Sequence, residues 1–135
     1  MKLSIMDDGG VYTPRFRSNQ NLPKNEQIQV HWRLMTNREQ ARCSYWQNPT
    51  ASVDADGKVL MNTDLEMITD RDGIIRASLE KLTGCSWQDV DGKEHELVTA
   101  DDLIDAPAQL FRDLYEELAT FFLKQNQVTD DTKKK

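Results

Sequence analysis

Apolar and polar residues alternate strictly over residues 26–35. Ile28, Val30, Trp32 and Leu34 fall on one side, and Gln27, Gln29, His31 and Arg33 on the other. Successive side chains of a strand point to opposite faces, so this pattern predicts a half-buried strand with one face on the core. Near the C-terminus the period changes. Over residues 106–125, Leu110, Leu114, Leu118 and Phe121 recur every three or four positions, flanked by Phe111, Tyr115 and Phe122. Arg112, Asp113, Glu116, Glu117 and Lys124 occupy the opposite side. At about 3.6 residues per turn this is a broad apolar stripe facing away from a charged one, which predicts a long amphipathic helix. Asp105 is placed to cap its first turn, and Pro107 sits where a helix start tolerates proline.

The remaining segments divide by the same criteria. Residues 1–10 end in Asp7-Asp8-Gly9-Gly10 and predict a flexible arm or a short edge strand. Residues 11–16 read as a strand that Pro14 confines to a sheet edge, because proline cannot donate to a ladder. Residues 17–25 are polar apart from Leu22 and read as a loop. Thr36 and Glu39 have capping-box spacing, so a helix start there competes with a strand over residues 42–46. Asn48-Pro49 breaks whatever precedes it. Residues 52–61 predict a hairpin turning at Asp56-Gly57, and residues 85–98 a second about Asp91-Gly92. Between them Leu65, Ile68, Ile75, Leu79 and Leu82 keep helical spacing, interrupted by Asp70-Arg71-Asp72-Gly73. Of a single kinked helix and a helix over residues 72–83 stopped by Gly84, we favour the second. Thr99 opens a short helical turn through Ile104. Residues 126–135 are polar and end in three lysines, which predicts a disordered tail. Strands and helices are segregated along the chain. The expectation is one α+β domain over residues 11–125: a mostly antiparallel sheet with hairpins, covered on one face by a central helix and the long C-terminal helix.

Composition narrows the functional classes. The 135 residues are enough for one modest core. Seventeen basic against 23 acidic residues give a net charge of −6, which argues against a nucleic-acid binder driven by phosphate contacts. The carboxylates are spread along the chain and mixed with cations, so an acidic mimic of DNA is not indicated either. The opening apolar residues are too few for a signal peptide, and no segment is long enough to span a bilayer. Cys43 and Cys85 stand alone, without a neighbouring His or a CxxC spacing, and read as two buried thiols of a cytoplasmic protein.

One motif recurs, Asp-x-Asp-Gly, at residues 54–57, 70–73 and 89–92. It resembles the middle of a calcium-binding EF-hand loop, but none of the three copies has the closing glutamate, and two begin on apolar residues. Asp-Gly makes turns, and that is the reading adopted. His31 on the polar face of its strand and His95 beside Glu94 and Glu96 lack a second ligand at metal spacing. No nucleophile–base order, phosphate loop or metalloprotease signature is present. The expectations are therefore no catalytic residues, no cofactor and no metal. Phe121, Phe122 and Leu123 are consecutive and cover more of a helix than one core contact needs. With Leu118 and Phe121 assigned to the core, Tyr115, Phe122 and Leu123 become the candidate partner-binding residues.

Three stretches carry a family resemblance: Tyr12-Thr13-Pro14, Leu22 to Val30, and Val98 to Pro107 running into the terminal helix. In this layout the chain resembles small morphogenesis proteins of tailed bacteriophages, in particular tail assembly chaperones. The resemblance implies a non-enzymatic protein of the host cytoplasm that binds the tape-measure protein and keeps its hydrophobic helices in solution until tube subunits assemble around them. It also implies self-association, and a longer product made by frameshifting near Lys133-Lys134-Lys135. A phage-encoded inhibitor of a host protein and a structural virion component, such as a connector or tail terminator, are the alternative readings. None of these readings involves nucleic acid or a membrane.

Overall fold

The computed structural model describes residues 1–5, 7–47, 50–62 and 66–127. In chain order the elements begin with β1 (Gly9–Tyr12), two 3-10 turns (Phe16–Asn21 and Lys24–Glu26), β2 (Gln29–Arg33), α1 (Asn37–Cys43) and β3 (Ser44–Gln47). They continue with β4 (Thr50–Val53), β5 (Val59–Asn62), β6 (Glu66–Thr69), α2 (Arg71–Ser78) and β7 (Leu79–Thr83). The chain closes with β8 (Ser86–Gln88), β9 (Glu94–Glu96), α3 (Ala100–Ile104) and α4 (Ala108–Gln125). The class is α+β, and every described ladder is antiparallel.

The alternating segment becomes β2, the middle strand of a sheet ordered β1-β2-β7. Its inward residues Val30 and Trp32 are buried, as the period of two requires. β1 is the edge strand. It starts earlier than the sequence pattern suggests, at Gly9, and ends before Pro14, whose ring is fully buried. Asp8 also belongs to the sheet margin, because its carbonyl accepts from the Leu34 N–H at 3.2 Å.

The polar loop over residues 17–25 is tightly organised by one buried amide. Asn19 Nδ2 donates to the carbonyls of Pro14 at 2.9 Å and Ile28 at 3.1 Å, and its Oδ1 accepts from the Ile28 N–H at 2.6 Å. Those bonds compensate the cost of burying the side chain and tie the loop to the start of β2. The competing readings of residues 36–46 both hold, one after the other. Thr36 and Glu39 form the reciprocal capping box at the head of α1, and β3 follows it directly. Arg33 pairs with the same Glu39 carboxylate and, together with the Thr36 N–H, holds it down to about 2.

The helix expected over residues 72–83 is corrected. It starts at Arg71 with Asp70 as cap, the Asp70 carboxylate accepting from the Gly73 N–H at 3.1 Å, and stops at Ser78. Residues 79–83 are β7, which pairs with β2 along the side of the sheet opposite β1. The pairing explains their helical spacing. Trp32 opposes Leu79 and His31 opposes Lys81, so Glu80 is the extra residue of a bulge. The bulge lets Leu79 and Leu82, three positions apart, both point into the core. Gly84 ends a strand rather than a helix. It adopts φ +71 where a Cβ would collide with the Gln27 carbonyl.

Helices α2, α3 and α4 pack together over the sheet and close the core. Two details of α4 are also corrected. Asp105 closes α3 instead of capping α4, whose start is set by Pro107 without a side-chain cap. The fully covered line is Phe111, Leu114, Leu118 and Phe122, while Leu110 and Phe121 are half-buried. The helix is rolled toward the Phe111–Phe122 edge of its stripe because α3 and the Phe16 turn receive Phe111 there. Asn126, assigned to the tail, is a working C-terminal clasp. Its Oδ1 accepts from the Met35 N–H at 2.7 Å, and its Nδ2 lies 3.3 Å from Ser78 Oγ. The rest of the expected tail, residues 128–135, lies outside the described residues, as does the Asn48-Pro49 break.

Candidate interaction surfaces

The three proposed partner-binding residues do not form one surface. Phe122 has no exposure at all, so the expectation that it is open to a partner is corrected: it is core. Leu123, one position on, is 39% exposed. Tyr115 is half-buried on the other side of the helix and donates to Asp72 Oδ1 at 2.5 Å. Burial and that carboxylate push its phenol up to about 12. Beside this bond Arg71 clasps Glu116 through Nη1 at 2.7 Å, which ties α2 to α4. A depression of about 360 Å³ lies here, floored by Leu103, Ile104, Ala106 and Phe111 and rimmed by Asp72, Arg112 and Glu116. Asp72 is engaged with Tyr115 and Glu116 with Arg71, so what these contacts do is lock α2 to α4.

Phe121 is covered from outside by an aromatic the sequence pattern did not bring forward. Tyr12 on β1 stacks on it with centroids 3.9 Å apart, and the Trp32 edge meets it at 5.3 Å. Glu117 completes the clip by accepting from the Tyr12 hydroxyl and from the Arg15 N–H, both at 2.7 Å. Burial first, then the Glu117 bond, push Tyr12 up to about 12 as well. The N-terminal edge strand is thereby fastened to the last helix.

Between α1 and α2 the chain forms two two-stranded antiparallel ladders, together a β-ribbon. Ser44↔Thr69 through Gln47↔Glu66 form its first ladder, and Thr50↔Asn62 through Val53↔Val59 the second. Its base is held by the Asp70 N–H donating to the Cys43 carbonyl at 2.6 Å. Among the described residues, the substantial packing of β4 and β5 is only with each other. The cross-strand pair Val53 and Val59 is 68% and 61% exposed. No periodic signal marks this ribbon as different from an ordinary hairpin; the signal that existed was valines facing each other across Asp-x-Asp-Gly with no polar replacement.

The three Asp-x-Asp-Gly copies are structural. Two make hairpin turns, and the third caps α2. Among the described residues, no group of three or more His, Cys, Asp or Glu side chains is close enough together to hold a metal ion. His95 stacks on Trp87 at 4.3 Å and shares a 3.0 Å hydrogen bond with Asp89, while His31 sits in the ladder between Val11 and Lys81. Cys43 and Cys85 are buried free thiols; burial pushes Cys85 up to about 11, which removes thiolate character. Among the described residues, no helix is long and apolar enough to cross a membrane. No protein-family model, no curated protein and no solved structure matches the chain.

Proposed function

We propose that this chain is a non-enzymatic tail-morphogenesis factor of a tailed bacteriophage or prophage, acting in the host cytoplasm as an assembly chaperone for the tape-measure protein. The observation that carries the binding part of this reading is the ribbon of β3–β6. A two-stranded ribbon alone in water is marginal, because it buries too little apolar surface to offset the ordering of its backbone. Here it ends in two uncovered valines. Such an element gains its stability when another chain covers it. The central line of the apolar stripe of α4, by contrast, is spent on the domain's own core. The class of partner comes from the resemblance at residues 12–14, 22–30 and 98–107.

Co-expression with the tape-measure protein of the same genome tests the reading. The wild-type chain is expected to hold that protein in the soluble fraction, and the double variant Val53→Asp, Val59→Asp to lose this effect while keeping the thermal midpoint of the domain. Unchanged solubility of the tape-measure protein with and without the chain overturns the reading.

A further inference from the structure

We infer that a groove under the Asn19-held turn, separate from the ribbon, is a docking site for a peptide segment carrying an apolar side chain next to a carboxylate. The groove measures about 410 Å³ and opens between the Phe16 turn, the start of β8 and the first turn of α4. Phe16, Ile28, Trp87, Leu110 and Phe111 form its apolar walls. That is room for one aromatic or branched side chain with the backbone beside it.

Charge selects the occupant. Arg17 is the only charged residue among those lining the groove, in a chain whose net charge is −6. Its guanidinium sits 5.3 Å over the Phe16 ring, and among the described residues it takes part in none of the ion pairs. A guanidinium on an aromatic face keeps its planar fork of donors free for a carboxylate. An apolar side chain alone would be served equally well by an uncharged rim. The cation at the mouth favours a segment that brings its own negative charge.

The backbone shows that this placement is enforced. Arg17 and Ser18 both lie in the left-handed region, with φ of 46° and 60°, which side chains with a Cβ avoid. The three hydrogen bonds of Asn19, and the Ser18 N–H donating to the Arg15 carbonyl at 3.1 Å, hold them there. Strain of this kind persists only where surrounding contacts over-determine it. Its result is to turn Phe16 and Arg17 together onto the rim.

Trp87 in the wall reports on occupancy. The full chain is titrated with two eight-residue Gly/Ser peptides, one bearing Phe-Glu at its centre and the other Phe-Gln, while the Trp87 indole resonance is followed by NMR. The Phe-Glu peptide is expected to move that resonance saturably, and the Phe-Gln peptide to bind about ten-fold more weakly, the scale of one lost charge-assisted contact. Arg17→Gln is expected to abolish the difference between the peptides without shifting the thermal midpoint. Gln88→Glu, which adds a carboxylate to the lining without touching the turn, is expected to weaken the Phe-Glu peptide selectively. Equal binding of both peptides, an unchanged preference in Arg17→Gln, or no saturable shift at Trp87 with millimolar peptide overturns the inference. None of these outcomes depends on the ribbon or on the tape-measure protein.

Discussion

The two hairpins β4–β5 and β8–β9 share a turn and differ in almost everything else. In the first, Asp54 Oδ1 accepts from the N–H groups of Asp56 at 3.0 Å and Lys58 at 2.8 Å, with Gly57 at φ +80. In the second, Asp89 Oδ1 accepts from Asp91 at 2.9 Å and Lys93 at 3.0 Å, with Gly92 at φ +81. Five residues reading Asp-x-Asp-Gly-Lys therefore build the same loop twice. The residues flanking the loop separate them. β9 runs into Leu97, which is 2% exposed, and the backbone is stitched to the body by Leu97 N–H to Cys85 carbonyl at 2.9 Å and Leu82 N–H to Val98 carbonyl at 2.7 Å. β4 and β5 meet their loop at Val53 and Val59, which reach nothing comparable. Turn chemistry decides that a hairpin forms, and the residues just outside it decide whether the hairpin is part of the domain or is held out from it.

Truncating the anchor should break the comparison most severely. Leu97→Ala empties a closed core site and is expected to cost about 2–5 kcal/mol, whereas Val53→Ala removes an exposed side chain and should stay within about 0.5 kcal/mol. Urea midpoints of the two variants at equal m-value check this. Similar losses for both would mean that β4–β5 is packed on the body in solution.

The same distinction, between what local chemistry encodes and what packing encodes, governs how much could be seen in the sequence. The strict alternation ending at Leu34 marks β2 because nothing interrupts the sheet period there. Both Asp-Gly hairpins, the Thr36–Glu39 capping box and the helical turn opened by Thr99 were legible for the same reason: the residues that determine each lie within four positions of one another. β7 was not legible, because the bulge at Glu80 gives a strand the three-residue spacing of a helix. The roll of α4 was not legible either. Its stripe is wide enough to be seated on either side, and the choice is made by α3 and by the Phe16 turn, far away in the chain, which receive Phe111. The candidate site suffered most. Asn19 reads as one more polar loop residue, and only its three hydrogen bonds, to backbone groups five and nine positions away, reveal a clamp. Phe122 reads as an outer residue because Phe121 is better centred in the stripe.

A smaller effect comes from the turn glycines. Open space surrounds both Gly57 and Gly92, so a methyl group added at either meets no atom and acts only through the left-handed backbone. The intrinsic penalty for alanine is therefore the same, about 1–2 kcal/mol. The readout should differ. Gly92→Ala is expected to lower the global thermal midpoint, because β8–β9 is joined to the core through Leu97. Gly57→Ala should leave the midpoint in place and speed amide exchange within the ribbon alone. A global shift of equal size in both variants would show that the two hairpins unfold with the same cooperative unit.

The smallest expected difference is a dependence on acid. The second carboxylate oxygen of Asp89 bonds His95 Nε2 at 3.0 Å, an interaction absent from the geometry described for Asp54. That bond first, then the Lys93 N–H, hold the Asp89 carboxyl below the usual aspartate range. A carboxyl lowered in the folded state contributes stability that is present above its unfolded value, about 3.9, and is lost as pH falls through the folded value. Acid should therefore loosen the β8–β9 turn below about pH 4, as Asp89 takes up a proton. Both side chains are partly exposed, so the effect is local and screened by salt. Asp89→Asn separates charge from turn geometry. The amide oxygen still accepts from Asp91 and Lys93, so the loop stays formed, but the titrating carboxylate is gone. Exchange of the Lys93 amide, corrected for its intrinsic pH dependence, should show an acid-induced rise in the wild type and little in Asp89→Asn. A rise of the same size in both proteins would place the acid sensitivity elsewhere in the domain.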